Sequence, residues 1–220
     1  MAAQKVDMWF DPICPFAWIT SRWLLEASHV RDIDVTWNVM SLAYLNKDRE
    51  MDAAHTESFA KSWGAVRLVA AVKEKHGNAS VLALYNALGD RIHHKKEKMS
   101  DELLAGALAD AGLPAELIAD AADESWNEPM ISSHERAVAM VGNDVGTPVI
   151  AVGEAAFFGP VISPAPKGED AGKLWDGFAL CVAVPGFYEL KRARNGKPDF
   201  SCSAPIGRLW PTSKRVIVPS

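Results

Sequence analysis

Cysteine is scarce in this chain: three among 220 residues, at positions 14, 181 and 202. An odd number of scattered thiols builds no disulfide framework, and their spacing is not that of a zinc site. No metal is therefore expected. Long apolar runs are missing too. No stretch approaches the ~20 residues of a membrane span, and Met1-Ala2-Ala3-Gln4-Lys5-Val6-Asp7 enters a strand pattern without the apolar core of a signal peptide. A cytoplasmic protein with no membrane partner is expected. Charge of one sign is not in excess: 23 basic against 28 acidic residues give a formal net charge of −5, which argues against a nucleic-acid surface. There is no glycine-rich phosphate loop, because Gly142-Asn143-Asp144-Val145-Gly146 has neither the lysine nor the spacing of one. What is present is a hydrophobic content of 49%, ordinary for a globular chain long enough for one large domain or one domain carrying an insertion.

Within that unremarkable background, Trp9-Phe10-Asp11-Pro12-Ile13-Cys14-Pro15-Phe16-Ala17-Trp18 stands out. Val6, Met8 and Phe10 alternate with Asp7 and Trp9, the period of a strand, and helical spacing follows from Phe16 to about His29. Pro15 suits the first helical position, where its missing N–H has no intrahelical partner to lose. Cys14 is thereby placed at a helix N-terminus, where unpaired amides and the positive end of the dipole favour a thiolate. A thiol pKa below that of free cysteine, ~8.5, is expected there. A dithiol motif needs a second cysteine at position 17, and this chain has Ala17. Cys14 has no motif neighbour to resolve a mixed disulfide.

The remaining candidates carry weaker signals. Cys181 lies in an apolar helical stretch and reads as a core residue. Cys202, between Ser201 and Ser203, reaches Cys14 only if the tail folds back. His93-His94-Lys95-Lys96-Glu97-Lys98 reads as a solvated helix end whose cations complement the dipole, with a histidine facing Cys14 as the alternative. Most of the eight tryptophans are core by default, and Trp18 and Trp63 are expected near the cleft.

The order of elements reads as strand 6–10, helix 16–29 and strand 33–40, a β-α-β unit with a right-handed crossover. A continuously helical region follows from about 55 to 128, broken at Gly77-Asn78, Gly112-Leu113-Pro114 and Glu128-Pro129, with helix starts at Ser100 and Pro114. A helix from Ile131 to Asn143 leads to a hairpin, Pro148–Val152 and Ala155–Phe158 around Gly153-Glu154, and a last helix spans 169–183. Beyond Lys197 the tail carries prolines that forbid a regular helix, yet it is too apolar for a free linker. It is expected to pack in extended form on its own domain or on a second subunit.

This order, with the Cys14 motif, Val145-Gly146-Thr147-Pro148-Val149 and Phe157-Phe158-Gly159-Pro160, resembles the DsbA-like branch of the thioredoxin superfamily from residue 5 to about 195. The tract Val39-Met40-Ser41-Leu42 and the run Phe187-Tyr188-Glu189-Leu190-Lys191 resemble, more narrowly, the actinobacterial mycothiol-dependent nitroreductase and reductase group. The resemblance implies an α/β thioredoxin fold with an all-helical insertion. Its parts are 1–45 and 130–197 for the thioredoxin-like domain, 46–129 for the insertion and 198–220 for an extended tail. It implies a catalytic Cys14 supported by Pro15. Phe16, Ala17, Trp18, Thr147 and Pro148 are the implied thiol- and substrate-binding residues, with a cis peptide before Pro148. Mycothiol or another low-molecular-weight thiol is the implied co-substrate, a small electrophile or disulfide the substrate, and a monomer or homodimer the assembly. Some members keep a second motif cysteine where this chain has Ala17, so a monothiol oxidoreductase or thiol transferase is expected. Two other readings share the fold: an enzyme like the kappa-class glutathione transferases and hydroxychromene-carboxylate isomerases, in which the Cys14 position orients a bound thiol, and a non-catalytic binding module.

Overall fold

The computed structural model describes residues 3–49, 53–193 and 196–201. Strand β1 (Gln4–Phe10) lies at the centre of a four-stranded sheet of order β2-β1-β3-β4. It pairs in parallel with β2 (Ile33–Val39) and antiparallel with β3 (Val149–Val152), which turns at Gly153 into β4 (Ala155–Phe158). The parallel pair requires a crossover, and α1 (Pro15–Ser28) supplies it. After β2 come a one-turn helix α2 (Leu42–Leu45), the long α3 (Ala53–Gly89), α4 (Asp101–Asp110), α5 (Ile118–Ala122) and α6 (Asn127–Val141). Helix α7 (Gly168–Val182) follows β4 and packs beside α1. This is a thioredoxin fold with a helical insertion between its second and third strands.

One apolar core runs through both parts. Met8 and Phe10 from β1, Trp23 and Leu24 from α1, and Leu68, Val72, Leu84 and Leu88 from α3 belong to the same buried cluster. The Phe10 and Tyr85 rings stack with centroids 3.6 Å apart, so sheet and insertion meet directly behind the Cys14 motif. A polar clamp adds register. At Gly77 the chain takes φ 78°, a conformation that favours glycine, and α3 kinks without ending. The kink turns Asn78 onto the edge strand, where its amide donates to the Val35 carbonyl (2.7 Å) and its oxygen accepts the Trp37 N–H (2.7 Å). One side chain thereby replaces a missing strand neighbour and covers the sheet edge.

Several boundaries differ from the sequence reading for local reasons. The break expected at Glu128-Pro129 falls inside the first turn of α6, where a proline displaces no intrahelical bond. Helix α6 accordingly begins at Asn127 rather than Ile131. Ser100 caps α4 as expected, its hydroxyl accepting the Leu103 N–H. Past Gly89 the helix widens into a π-turn, Asp90–His94, where the sequence pattern predicts an ordinary helix end. Arg91 anchors that turn through ion pairs to Glu97 and Asp110, both at 2.9 Å.

Gly89 is where the insertion presses closest on α1. A Cβ there would overlap the six-membered ring of Trp18. Gly89→Ala should therefore lower the urea midpoint by the equivalent of ~1–3 kcal/mol, the usual cost of overpacking, with an unchanged slope. A midpoint equal to that of the parent protein would show that α3 does not bear on Trp18.

Candidate active site

Cys14 is the N-cap of α1, with extended backbone (φ −77°, ψ 114°) and Pro15 in the first turn. The turn that presents it is built by Asp11. The Asp11 carbonyl accepts the Cys14 N–H (3.0 Å), and its carboxylate, wholly buried, accepts the Ile13 N–H (3.0 Å) through one oxygen and the Leu42 N–H (2.7 Å) through the other. One side chain thus ties the cysteine turn to the loop between β2 and α2. Burial lifts the Asp11 carboxyl to about 6, against the two amide bonds that favour its charge. Asp11 was not among the residues singled out from sequence. An aspartate two residues before Ile13 with a proline between them is an Asx-turn signal, and that was the clue available.

The Cys14 sulfur accepts the Ala17 N–H at 3.4 Å, and its thiol donates to the Thr147 carbonyl at 3.3 Å. The Thr147–Pro148 peptide is cis. The Thr147 hydroxyl is buried and makes no hydrogen bond that meets ordinary geometry, yet it lies near enough to the sulfur to favour the thiolate, as do the Ala17 and Phe16 amides. These donors do not prevail. Burial pushes the Cys14 thiol up, and the Asp11 carboxylate adds to the rise. The expectation of an acidic Cys14 is corrected here: the helix terminus is in place, but the thiol is only 7% exposed and stripped of water.

The structure brings Cys14, Ala17, Thr147 and Pro148 together, with Pro15 and Phe16 half-buried at the opening of the helix. Trp18, expected among the thiol-binding residues, faces the insertion instead and is 3% exposed. Its indole N–H donates to His94 Nε2 (3.3 Å), its ring stacks on His93, and the Arg22 guanidinium lies 3.9 Å from its ring centroid. Trp63 is half-buried and meets Tyr44 edge to face. The histidine run is not wholly a solvated helix end. His93 is 4% exposed and its Nε2–H donates to the Pro12 carbonyl at 2.9 Å, two residues before Cys14; burial brings its pKa down to about 4. Cys181 is half-buried rather than part of the core, and Cys202 lies outside the described residues. Among the described residues no group of three metal-ligating side chains converges, and no helix is long and apolar enough to cross a membrane.

This geometry has relatives. A family model described as the Rv2466c-like, mycothiol-dependent nitroreductase Rv2466c matches residues 13–192. An uncharacterized protein of Mycobacterium tuberculosis, Rv2286c, is 30% identical over 193 residues, covering 86% of this chain and 82% of its own. Among solved structures, a probable DsbA oxidoreductase of Streptomyces coelicolor aligns with a TM-score of 0.55 and 16% identity over 89% of this chain and 97% of its own. The cytosolic disulfide reductase DsbM of Pseudomonas aeruginosa, solved with GSH, aligns with a TM-score of 0.52 and 16% identity over 80% and 99%. A 2-hydroxychromene-2-carboxylate isomerase aligns with a TM-score of 0.54 and 12% identity over 80% and 96%.

Because Asp11 and burial act together on Cys14, its iodoacetamide alkylation should have a midpoint at or above the free thiol value of ~8.5. Asp11→Asn removes the opposing charge and should move that midpoint down. An upward move would mean that the carboxylate acts on the sulfur only through the shape of the turn.

Proposed function

We propose, for a chain that belongs to the Rv2466c-like family of mycothiol-dependent nitroreductases, a monothiol mechanism centred on Cys14. The chain is an enzyme of the DsbA-like, thiol-dependent oxidoreductase type. The observation that carries the finer reading is the set of donors around one sulfur: the Ala17 and Phe16 amides and the otherwise unpaired Thr147 hydroxyl. They contribute little while the thiol is protonated and donating to the Thr147 carbonyl. As the proton leaves and negative charge gathers on sulfur, all three strengthen, which is the pattern of stabilisation that accelerates a reaction.

In this mechanism the Cys14 sulfur attacks one sulfur of a small disulfide, the S–S bond breaks, and the leaving thiolate takes up a proton. Cys14 is left in a mixed disulfide. Ala17 has no sulfur to expel it, so an external thiol attacks the mixed disulfide and departs as a new disulfide, restoring the Cys14 thiol. By the family's description that thiol is mycothiol, and another low-molecular-weight thiol serves the same chemistry. Phe16, with the Thr147 backbone beside cis-Pro148, forms the docking edge for an extended thiol. Residues 1–45 and 130–197 supply these groups, and the helices of 46–129 wall off the back of the motif. Small substrates and a cytoplasmic setting, where such thiols are reduced, fit this reading.

Mass spectrometry after exposure to a thiol–disulfide mixture should find a mixed disulfide on Cys14, and the adduct should accumulate when the small thiol is withheld. Cys14→Ser should abolish exchange, a loss of at least a hundredfold, while Cys181→Ser leaves it within about twofold. Ala17→Cys should make release less dependent on added thiol. An unmodified Cys14 with full turnover would instead mean that the residue orients a bound thiol. Trapping of the adduct by Cys202→Ser would assign the resolving step to the tail.

A further inference from the structure

The π-turn at the end of α3 places His93 where three separate parts of the chain meet. Its Nε2–H donates to the Pro12 carbonyl in the cysteine turn (2.9 Å). Its ring stacks on Trp18 of α1, with centroids 5.9 Å apart and planes 25° from parallel. It also stacks on Phe200 of the C-terminal segment, at 5.6 Å and 24°. Phe200 is itself held in place. It meets His94 edge to face (5.8 Å), and the Lys96 ammonium lies 4.4 Å from its ring centroid. One residue earlier, the Asp199 N–H donates to the Ser163 hydroxyl (2.8 Å) in the loop after β4. The described end of the tail therefore spans from that loop to the histidine that buttresses the Cys14 turn.

We propose that His93 is a positioning residue for Cys14 and that the protein's own C-terminal segment, through Phe200, holds His93 in that role. The proposal rests on the reading of Cys14 as the reactive group. Its physical basis is the direction of each contact. The hydrogen bond from Nε2 fixes the carbonyl two residues before the sulfur. Stacking on both Trp18 and Phe200 fixes the ring plane that aims that bond. Enclosure by Phe200 keeps the imidazole dry and neutral, with its one N–H directed at Pro12. The charged and titratable groups facing it are His94, Lys96 and Arg22, all of which oppose a second proton on the ring. Removing Phe200 admits water to His93, loosens its plane and frees the turn. The tail is thereby coupled to the thiol through a single ring.

The test uses the full chain with four substitutions. Phe200→Ala should raise the His93 imidazole midpoint, followed by NMR, from about 4 toward the ordinary ~6.5. It should also speed alkylation of Cys14 about fivefold, since a buried ring pair contributes ~1 kcal/mol. Phe200→Tyr, which keeps the stack, should behave as the parent protein. His93→Phe keeps both stacks and loses the donor, and should speed alkylation by a similar factor. His93→Gln keeps a donor for the Pro12 carbonyl and should fall between His93→Phe and the parent. An unmoved His93 midpoint in Phe200→Ala overturns the coupling to the tail. Equal alkylation rates in His93→Phe and His93→Gln overturn the hydrogen bond as the positioning contact. A Cys14 that stays unalkylated in the parent protein at every pH the fold tolerates sinks the nucleophile reading instead, and the NMR titration then decides the coupling alone.

Discussion

The turn that presents Cys14 hangs from one buried carboxylate. Asp11 gives its backbone carbonyl to the Cys14 amide and its two side-chain oxygens to amides of two different loops. A carboxylate that loses water must find such donors or give up its charge. Here it finds two and keeps a carboxyl lifted to about 6. The geometry that results sets Cys14 at the head of α1 and sets Leu42 at the head of α2. The second loop is held again from below, where His134 Nδ1 accepts the Ser41 N–H (3.2 Å). The strands end at fixed positions, but it is this pair of loops, joined through Asp11, that turns strand ends into a site.

The fold was readable because its signals are local and periodic. Alternation in β1, Pro15 at the start of α1, Gly153 in the hairpin and Ser100 before α4 each carry a backbone requirement that their neighbours share. The place of Cys14 at the head of a helix was readable for the same reason, whereas the cis peptide at Thr147-Pro148 was an expectation carried by the family resemblance and not by the residue types. What stayed hidden depends on contacts distant in sequence. His93 is separated by 81 residues from the carbonyl it holds, and Phe200 by more than a hundred from the ring it covers. In a run with His94 and three lysines, nothing local distinguishes a buried histidine from a solvated one. Trp18 misled for a related reason: its place in the motif suggests the cleft, yet a helix turns its next residues inward, and the indole points into the insertion.

The acidity of Cys14 is where local and global effects compete most openly. Reading the motif alone, the helix terminus wins, because its dipole and free amides are the nearest charges to the sulfur. The folded molecule adds one larger effect, loss of water, and a smaller one in the same direction, the charge of the Asp11 carboxylate. His93 is held neutral, and the Arg22 guanidinium, two turns along the helix from Cys14, is engaged with Trp18, Ser21 and Asn86.

The two unusual titrations near the thiol divide the pH range between them. A carboxyl raised to about 6 favours folding below its unfolded value of 3.8, and that contribution is lost as pH rises through 6. An imidazole lowered to about 4 favours folding above its unfolded value of 6.5, and that contribution is lost as pH falls through 4. Between 4 and 6 both supports of the cysteine turn are neutral in the fold. Above 6 a single negative charge remains, on Asp11, and it stands against the thiolate. At neutral pH burial and the Asp11 charge therefore both disfavour a Cys14 thiolate. A buried thiol that stays protonated is also slower to be oxidised, because the thiolate is the form that oxidants attack.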